Sequence, residues 1–294
     1  MVTTLEPPIT YQFEPVNLTP NDYKSDLHPI WCPGCGDFGV LASFYKAVSE
    51  LHIPNEQLVV VSGIGCSSRF PAFVNAYGFH GTHGRALPLA TGVKMSRPEL
   101  KVVTVGGDGD AFSIGMGHIP HAIRRNVDIT YIVMDNEIYG LTKGQASPTS
   151  PLGMERKASP YGTVERPLNP LLMALAAGAS WVARGFSSKP KELTELIKQG
   201  MEHKGFSLLQ VYSPCVTFYD TYDHFKQVTK PLPADHNSRD RMGAMKYAMD
   251  EENLYLGLFY QEERPTYDEA YAAKRAANAK QNYDIQEIMG KYMR

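Results

Sequence analysis

The chain alternates short apolar runs with segments whose apolar positions recur at helical spacing. Runs rich in valine, LVVVSG at 58–63 and KVVTVGG at 101–107, predict buried strands. The stretch from Phe38 to Leu51 and the small-residue segment RALPLATGVKMS have the spacing of helices. Because parallel strands need a crossover between them, this alternation predicts a mostly parallel sheet with helices on both faces.

The alternation continues through a strand at DITYIVMDN and returns further on in LLMALAAGA, SWVARG and FSLLQVYS. Residues 139–170 interrupt it with a loop rich in Gly, Pro and Ser, and a loop this long is more often functional than idle. We predict a Pro-rich N-terminal arm over residues 1–30 and one α/β domain over residues 31–230. A C-terminal helical tail over residues 231–294 is expected to pack on the domain or on a partner.

Composition narrows the possible partners. The 294 residues are 43% hydrophobic, enough for a sizeable core, and the formal net charge is -2. Because basic and acidic residues are nearly balanced, the sequence has no basic excess of the kind that binds nucleic acid. No stretch approaches the ~20 apolar residues of a membrane span. The N-terminus is polar and Pro-rich, without the pattern of a signal peptide, so we expect a cytoplasmic protein that binds neither nucleic acid nor membrane.

Four cysteines are the first candidates for chemistry. Cys32 and Cys35 form the pair in WCPGCGDFG, Cys66 stands in GIGCSSRF, and Cys215 follows an apolar run. They are too few for a disulfide scaffold, so they are free, catalytic or metal-bound. Spacing alone suits zinc as well as an iron–sulfur cluster. A redox disulfide at CPGC is a third interpretation, but it leaves Cys66 and Cys215 without a role.

A second candidate site follows the strand KVVTVGG. Asp108 stands between Gly107 and Gly109 at the strand end, where α/β sheets bind ligands and glycines let a phosphate approach the backbone. Gly-Asp-Gly alone is also an ordinary turn. After an intervening helix and strand, however, Asn136 supplies another oxygen of the kind that Mg²⁺ on a diphosphate prefers. The pairing of Asp108 with Asn136 matches the motif of enzymes that use thiamine diphosphate.

The sequences of these segments resemble those of one family more closely. HPIWCPGCG, GIGCSSR, THGRALPLATGVK, GDGDAFSIGMGH with AIRRN, DNEIYGLTKGQ with SPT, and SPC are similar to the β subunit of 2-oxoacid:ferredoxin oxidoreductases. The resemblance covers roughly residues 28–230. It implies a thiamine diphosphate-binding fold and one [4Fe-4S] cluster held by all four cysteines, with Cys215 as the fourth ligand.

The resemblance also implies roles for individual residues. Asp108, Asn136 and the backbone carbonyl of Ile138 would bind Mg²⁺. The expected cofactor contacts are Gly65, Cys66, His83, Gly84, Gly107, Asp108, Gly109, Asp110, Asn136, Ile138, Tyr139 and Gly140. The residues expected at the reacting substrate and its entrance are Arg69, Leu141, Thr142 and Lys143.

Three of these residues also have ordinary explanations. Arg69 replaces a lysine that is frequent in the family and is expected to bind a second carboxylate, which favours 2-oxoglutarate over pyruvate; an arginine in a loop is otherwise a solvated surface group. His83 beside glycines is as often a loop residue that hydrogen-bonds the backbone. Lys143 can meet a phosphate of coenzyme A, or simply lie in solvent.

The implied function is the coenzyme A-dependent oxidative decarboxylation of 2-oxoglutarate to succinyl-CoA and CO₂, or its reverse. Electrons pass through the cluster to ferredoxin, and pyruvate is the alternative substrate. A larger α subunit is expected to supply the pyrimidine-binding domain, its glutamate and most of the coenzyme A site in an αβ or (αβ)₂ assembly. A non-oxidative thiamine diphosphate enzyme would not need the cysteines. A non-catalytic metal protein would leave the pairing of Asp108 with Asn136 to chance.

Overall fold

The computed structural model describes residues 14–278 and 285–293. Its strands, in chain order, are β1 (Leu58–Ser62), β2 (Tyr77–His80), β3 (Lys101–Gly107), β4 (Ile129–Asp135), β5 (Ile138–Tyr139), β6 (Gln145–Ala146), β7 (Trp181–Phe186), β8 (Phe206–Tyr212), β9 (Thr229–Pro231) and β10 (Leu254–Gln261). Its α-helices are α1 (Asp37–Glu50), α2 (Ala86–Ser96), α3 (Ile119–Arg125), α4 (Pro170–Ala177), α5 (Pro190–Glu202), α6 (Tyr222–Val228), α7 (Arg241–Ala248), α8 (Tyr267–Ala277) and α9 (Ile285–Tyr292).

Eight strands form one sheet in the order β2-β1-β3-β4-β8-β7-β10-β9, and β5 pairs with β6 in a separate hairpin. The first six strands in this order, β2, β1, β3, β4, β8 and β7, run parallel to one another, whereas β10 runs antiparallel to β7. Every residue of β1, β4, β7 and β8 is buried, as expected of parallel strands covered on both faces. The predicted mostly parallel sheet is confirmed.

Helices cover both faces of the sheet. Alternate residues of a strand point to opposite faces, so Val60 packs with α1 and α5, while its neighbours Val59 and Val61 pack with α2. Helices α3, α4 and α7 share that second face, packed around Tyr131 and Leu208. The core is therefore split by the sheet into two apolar layers, which leaves the strand ends as the places for polar chemistry.

Both ends of the chain attach to this domain. In the N-terminal segment, Tyr23 is fully buried and its hydroxyl donates to the carbonyl of Ile53 at 2.6 Å. The first 13 residues of the predicted arm lie outside the described residues. At the other end the main sheet continues to Gln261, because β10 pairs with β7. The domain border predicted at residue 230 therefore falls inside the sheet.

The last part of the chain is helical. Helix α8 begins with a capping box, in which Thr266 and Glu269 each accept a hydrogen bond from the other's backbone N–H. None of the helices in the described part of the chain is long and apolar enough to cross a membrane.

The parallel strands place several polar loops at one edge. The carboxyl ends of β1, β3, β4 and β8 are neighbours in the sheet, and each leads directly into a loop that carries predicted site residues. Ligands of open α/β sheets bind at this edge because successive loops there splay apart. Predicted site residues that are far apart in the sequence therefore lie close together at the carboxyl edge of the sheet.

Candidate functional site

The four cysteines come together from three loops. Cys32 and Cys35 precede α1, Cys66 follows β1, and Cys215 follows β8. Two hydrogen bonds join these loops: the N–H of Gly36 donates to the carbonyl of Pro214 at 3.1 Å, and the Trp31 indole donates to the carbonyl of Cys66 at 2.7 Å. All four cysteines are unpaired thiols, with Cys32 exposed and the other three half-buried.

Gly140 lies next to two of these sulfurs. A Cβ atom at this position would lie 3.6 Å from the Sγ of Cys215 and 3.7 Å from the Sγ of Cys66. Glycine leaves the space between the two sulfur atoms open, whereas any side chain would begin to fill it.

The surroundings of the thiols disfavour their charged forms. Burial, followed by the charges of Asp37 and Cys215, raises the pKa of Cys66 to about 11. Burial and then the Asp37 charge raise the pKa of Cys35 still further. Metal centres bind thiolates, so a positively charged iron centre would offset this cost. Among residues 14–278 and 285–293, no three His, Cys, Asp or Glu side chains are grouped around a position for a single metal ion.

Asp37 is a site residue that the sequence reasoning missed. Its carboxylate is buried beside the cysteine loops and accepts a hydrogen bond of 2.6 Å from the hydroxyl of Ser213. Burial raises the pKa of Asp37 to about 6, although hydrogen bonds from Ser213 and Cys35 oppose the shift. The contact ties the start of α1 to the loop after β8. The only sequence signal was an acidic residue two positions beyond CPGC, which is too common to be diagnostic.

The second site lies at the ends of β3 and β4. Asp108 follows β3, Asp135 ends β4, and both carboxylates are buried. The Thr149 hydroxyl lies 2.8 Å from an oxygen of each carboxylate. Asn136 is the next residue along, and its side-chain oxygen accepts a hydrogen bond from the N–H of Ile138 at 3.1 Å. The structure thus brings the three predicted Mg²⁺ ligands to neighbouring strand ends.

This second site is rich in buried acid. Burial and then the Asp135 charge raise the pKa of Asp108, and burial is the main cause that raises the pKa of Glu137 to about 9. In the described part of the chain, no lysine or arginine forms an ion pair with any of these three carboxylates. Clustered carboxylate and amide oxygens are the donors that Mg²⁺ prefers. The residues present therefore fit a divalent cation.

Gly109 lets the chain after β4 approach the GDG loop. A Cβ atom on Gly109 would lie only 2.2 Å from the ring of Tyr139, whose hydroxyl donates to the Gly109 carbonyl at 3.1 Å. Since real Cβ atoms essentially never come this close, a side chain at Gly109 would push Tyr139 away. Tyr139 contacts the GDG loop, and the adjacent Gly140 lies next to Cys66 and Cys215. This short segment therefore contacts both the GDG loop and the cysteine loops.

Asp110 contacts the segments that carry the remaining predicted cofactor residues, Gly65, His83 and Gly84. One of its oxygens accepts the N–H groups of Ile64 and Gly84, at 2.9 Å and 2.7 Å, and lies 2.9 Å from the imidazole Nδ1 of His83. Gly65 follows Ile64 with a φ of 129°, in the left-handed region that favours glycine. Asp110 therefore holds the loop after β1 and the segment before α2 against the GDG loop.

The predicted substrate residues occupy two places. Arg69 is half-buried in the 3₁₀ helix Ser67–Phe73, and its N–H donates to the carbonyl of Cys66 at 3.2 Å. Leu141, Thr142 and Lys143 are exposed at the tip of the β5–β6 hairpin, where the Thr142 hydroxyl donates to the side chain of Gln145. The hairpin begins at Ile138 and Tyr139, beside the GDG loop, and carries these three residues in the turn between its strands.

Two known families match parts of the chain. Residues 56–211 match the family described as thiamine pyrophosphate enzyme, C-terminal TPP binding domain. Residues 215–276 match the family described as the C-terminal part of the pyruvate ferredoxin oxidoreductase β subunit. The first match contains the GDG loop, Asn136 and Cys66, and the second begins at Cys215.

Individual relatives agree with these matches. The β subunit of 2-oxoacid:ferredoxin oxidoreductase 2 of Aeropyrum pernix is 49% identical over 67% of this chain and 64% of its own length. This chain thus spans less than two thirds of that relative. The 2-oxoacid:ferredoxin oxidoreductase β subunit of Saccharolobus solfataricus is 40% identical over 89% of this chain and 92% of its own length.

A solved structure extends the likeness to the whole fold. The 2-oxoglutarate:ferredoxin oxidoreductase from Magnetococcus marinus, with 2-oxoglutarate, coenzyme A and succinyl-CoA bound, superposes with a TM-score of 0.90 at 46% identity. The superposition covers 98% of this chain and 99% of the other. The sequence-based resemblance and the thiamine diphosphate enzyme fold are confirmed. This chain belongs to the family of 2-oxoacid:ferredoxin oxidoreductase β subunits.

Proposed function

We propose that this chain binds the diphosphate of thiamine diphosphate and a [4Fe-4S] cluster in an enzyme that oxidises a 2-oxoacid, with 2-oxoglutarate as the favoured substrate. The products are the acyl-CoA, CO₂ and electrons delivered to ferredoxin. One observation carries the proposal: Tyr139 packs on the GDG loop while the adjacent Gly140 faces Cys66 and Cys215. Two sites that different chemistries require are thus separated by one peptide unit.

The residues divide the work between the two sites. Asp108, Asn136 and the carbonyl of Ile138 would hold Mg²⁺ on the diphosphate, and the N–H groups of the GDG loop would face its oxygens. Thiamine diphosphate, when bound, supplies the carbanion that adds to the keto carbon and accepts the electron pair released with CO₂. An iron–sulfur cluster supplies one-electron transfer, and Cys32, Cys35, Cys66 and Cys215 would hold it.

Arg69 is the proposed substrate residue of this chain. It is half-buried next to the Cys66 loop, and no carboxylate of the described residues forms an ion pair with it. An unpaired guanidinium offers two parallel N–H donors to a carboxylate, which the distal carboxylate of 2-oxoglutarate can accept and pyruvate cannot. Arg69→Lys removes the bidentate geometry and keeps the charge. We expect it to lower the turnover of 2-oxoglutarate more than that of pyruvate.

Pyruvate is the second candidate substrate. The family that matches residues 215–276 is described as a pyruvate ferredoxin oxidoreductase, whereas the superposed Magnetococcus marinus enzyme is named for 2-oxoglutarate. An assay separates the two. The chain is co-purified with its α partner without oxygen, and coenzyme A-dependent ferredoxin reduction is followed with each oxoacid in parallel. Faster reduction with pyruvate would reject the 2-oxoglutarate assignment, and no reduction by either would reject both.

Metal content tests the cysteine site separately from activity. The anaerobically purified chain is expected to contain iron and acid-labile sulfide in a ratio of about one to one, as in a [4Fe-4S] cluster. Replacing Cys215 by Ser should remove most of both. Zinc in place of iron and sulfide would reject the cluster, because the same four thiolates also suit a zinc ion.

A further inference from the structure

A chain of buried polar side chains crosses the sheet beneath the GDG loop. Arg184 on β7 donates to Gln210 on β8 at 2.9 Å, and Gln210 donates to one oxygen of Asp135 at 2.7 Å. The Thr149 hydroxyl lies 2.8 Å from the other oxygen of Asp135 and 2.8 Å from Asp108. All five residues are at most 5% exposed. Buried polar groups linked in this way fix each other's orientation.

Thr149 belongs to a tight turn that touches the next metal-site segment as well. In this turn, the Ser150 hydroxyl accepts the N–H of Ser147 at 2.8 Å and donates to the carbonyl of Glu137 at 2.5 Å. Glu137 has a φ of 59°, which is uncommon for a residue with a side chain. The turn 147–150 therefore supports both strand ends that carry the proposed Mg²⁺ ligands.

Asp108 and Asp135 differ in how many of their carboxylate oxygens remain available to bind a metal ion. Both oxygens of Asp135 have partners: Gln210 donates to one, and the other accepts the N–H of Glu137 at 3.2 Å and lies beside the Thr149 hydroxyl. The Oδ2 atom of Asp108 lies 2.8 Å from the Thr149 hydroxyl, and the Ser147 hydroxyl of the same turn also hydrogen-bonds this carboxylate. A carboxylate rotates easily about its last side-chain bond unless hydrogen bonds stop it. The contact with Thr149, together with that of Ser147, therefore limits the directions in which the second oxygen of Asp108 points.

We propose that Thr149 is a positioning residue for the metal site: its hydroxyl donates to Asp108 and orients that carboxylate as a ligand for the cation. This inference rests on the proposed function, because it assumes that Mg²⁺ and thiamine diphosphate bind at Asp108. Groups that orient metal ligands typically change metal affinity by about 10–100-fold when they are removed.

The test compares three variants of the complete complex of this chain with its α partner. Thr149→Val replaces the hydroxyl by a methyl group of similar size, and Thr149→Ser keeps the hydroxyl. The matched control is Thr194→Val on α5, because Thr194 is also buried and its hydroxyl donates to the carbonyl of Pro190 at 2.7 Å. The measurement is equilibrium binding of thiamine diphosphate at increasing Mg²⁺ concentration, with thermal unfolding of each metal-free complex recorded alongside.

We expect Thr149→Val to raise the half-saturating Mg²⁺ concentration about 10–100-fold. Thr149→Ser and Thr194→Val should stay near the wild-type value. An unchanged half-saturating concentration in Thr149→Val would overturn the inference and leave the proposed function standing, as would an equal rise in Thr194→Val. If Thr149→Val does not fold, Thr149→Ala is held to the same expectation. A wild-type complex that binds thiamine diphosphate without regard to Mg²⁺ would reject the proposed metal site itself.

Discussion

Short hydroxyl side chains, rather than lysines or arginines, hold the buried acids of this site. Ser213 binds Asp37 beside the cysteines, and Thr149 bridges Asp108 and Asp135. A hydroxyl satisfies a carboxylate oxygen without neutralising it, so the negative charge remains available to a bound cation. Individual hydroxyl contacts therefore matter more here than on an exposed surface.

Ser213→Ala is expected to lower the free energy of unfolding of the chain by about 1–3 kcal/mol, because it leaves a buried carboxylate oxygen of Asp37 without its donor. Asp37→Asn should cost less, since the amide oxygen still accepts from Ser213 and no charge is buried. Urea unfolding of the metal-free chain measures both. A larger loss for Asp37→Asn than for Ser213→Ala would contradict this account of the contact.

Gly140→Ala tests the space between the sulfurs. The new methyl group would make ordinary contacts with Cys66 and Cys215 in the metal-free chain, so its unfolding free energy should remain within about 1 kcal/mol of wild type. The same methyl group would occupy space next to both sulfurs that the proposed cluster needs. We therefore expect iron and sulfide content to fall sharply, as measured after anaerobic reconstitution.

Gly92→Ala is the control for that substitution. Gly92 lies inside α2, and nothing is within 4 Å of the position that its Cβ atom would take. Alanine should stabilise the helix by about 0.5–1 kcal/mol and leave iron content unchanged. Normal iron content in Gly140→Ala would show that the cluster does not use this space.

The sequence predicted the residues that belong to motifs and missed those that support them. Asp108 and Asn136 were predictable because glycines and strand ends surround them, and the cysteines because four of them recur in short, unusual segments. Thr149 stood in the quoted SPT segment without a role. A serine or threonine is common in any loop, and only the paired strand ends show which carboxylate it reaches.

At the scale of elements, helix α5 joins the core to the edge opposite the site. Residue His203 follows α5, and its imidazole Nε2 lies 2.9 Å from the hydroxyl of Ser180, just before β7. The Ser180 hydroxyl also donates to the side chain of Asn126 at 2.6 Å, so the contact joins the end of α5 to the residue after α3. A neutral imidazole suits this half-buried junction.

This junction should make stability depend on pH. Burial lowers the pKa of His203 below its usual 6.5, so the unfolded chain binds a proton more readily than the folded chain. The contribution of His203 to stability is complete above about pH 6.5 and is lost as pH falls through the lowered pKa. His203→Gln should therefore lose less stability than wild type between pH 7.5 and pH 5.5. Parallel urea midpoints for the two proteins would disprove the assignment.

Helices and strands with a regular hydrophobic pattern were predictable from the sequence, whereas the pairing of β10 with β7 was not. The helix predicted from Phe38 to Leu51 is α1, and the long apolar runs are strands β1, β3, β4 and β8. Strand β10 lay in the segment predicted to be a helical tail. Its LYLGLFYQ alternates only weakly in burial, and its partner β7 is more than seventy positions away along the chain, so the pairing depends on tertiary contacts.

At the scale of the whole molecule, we propose that the described chain contains the diphosphate side of a cofactor site. If the α subunit supplies the pyrimidine side, thiamine diphosphate with Mg²⁺ should stabilise the complex far more than the isolated chain. At one hundred times the dissociation constant, a ligand that binds only the folded state adds about 2.7 kcal/mol. Thermal unfolding of both forms, with and without EDTA, measures the difference. An equal shift for the isolated chain would show that it binds the cofactor without a partner.

The spread of the cysteines along the chain has a consequence for biosynthesis. Three of them precede β2, but Cys215 follows β8 and reaches the others only when β8 has entered the sheet beside β4. A nascent chain on the ribosome therefore presents three thiols well before the fourth exists. If all four thiols hold the proposed cluster, iron and sulfide delivered during translation would meet an incomplete set of ligands, and cluster insertion would have to follow synthesis of the domain.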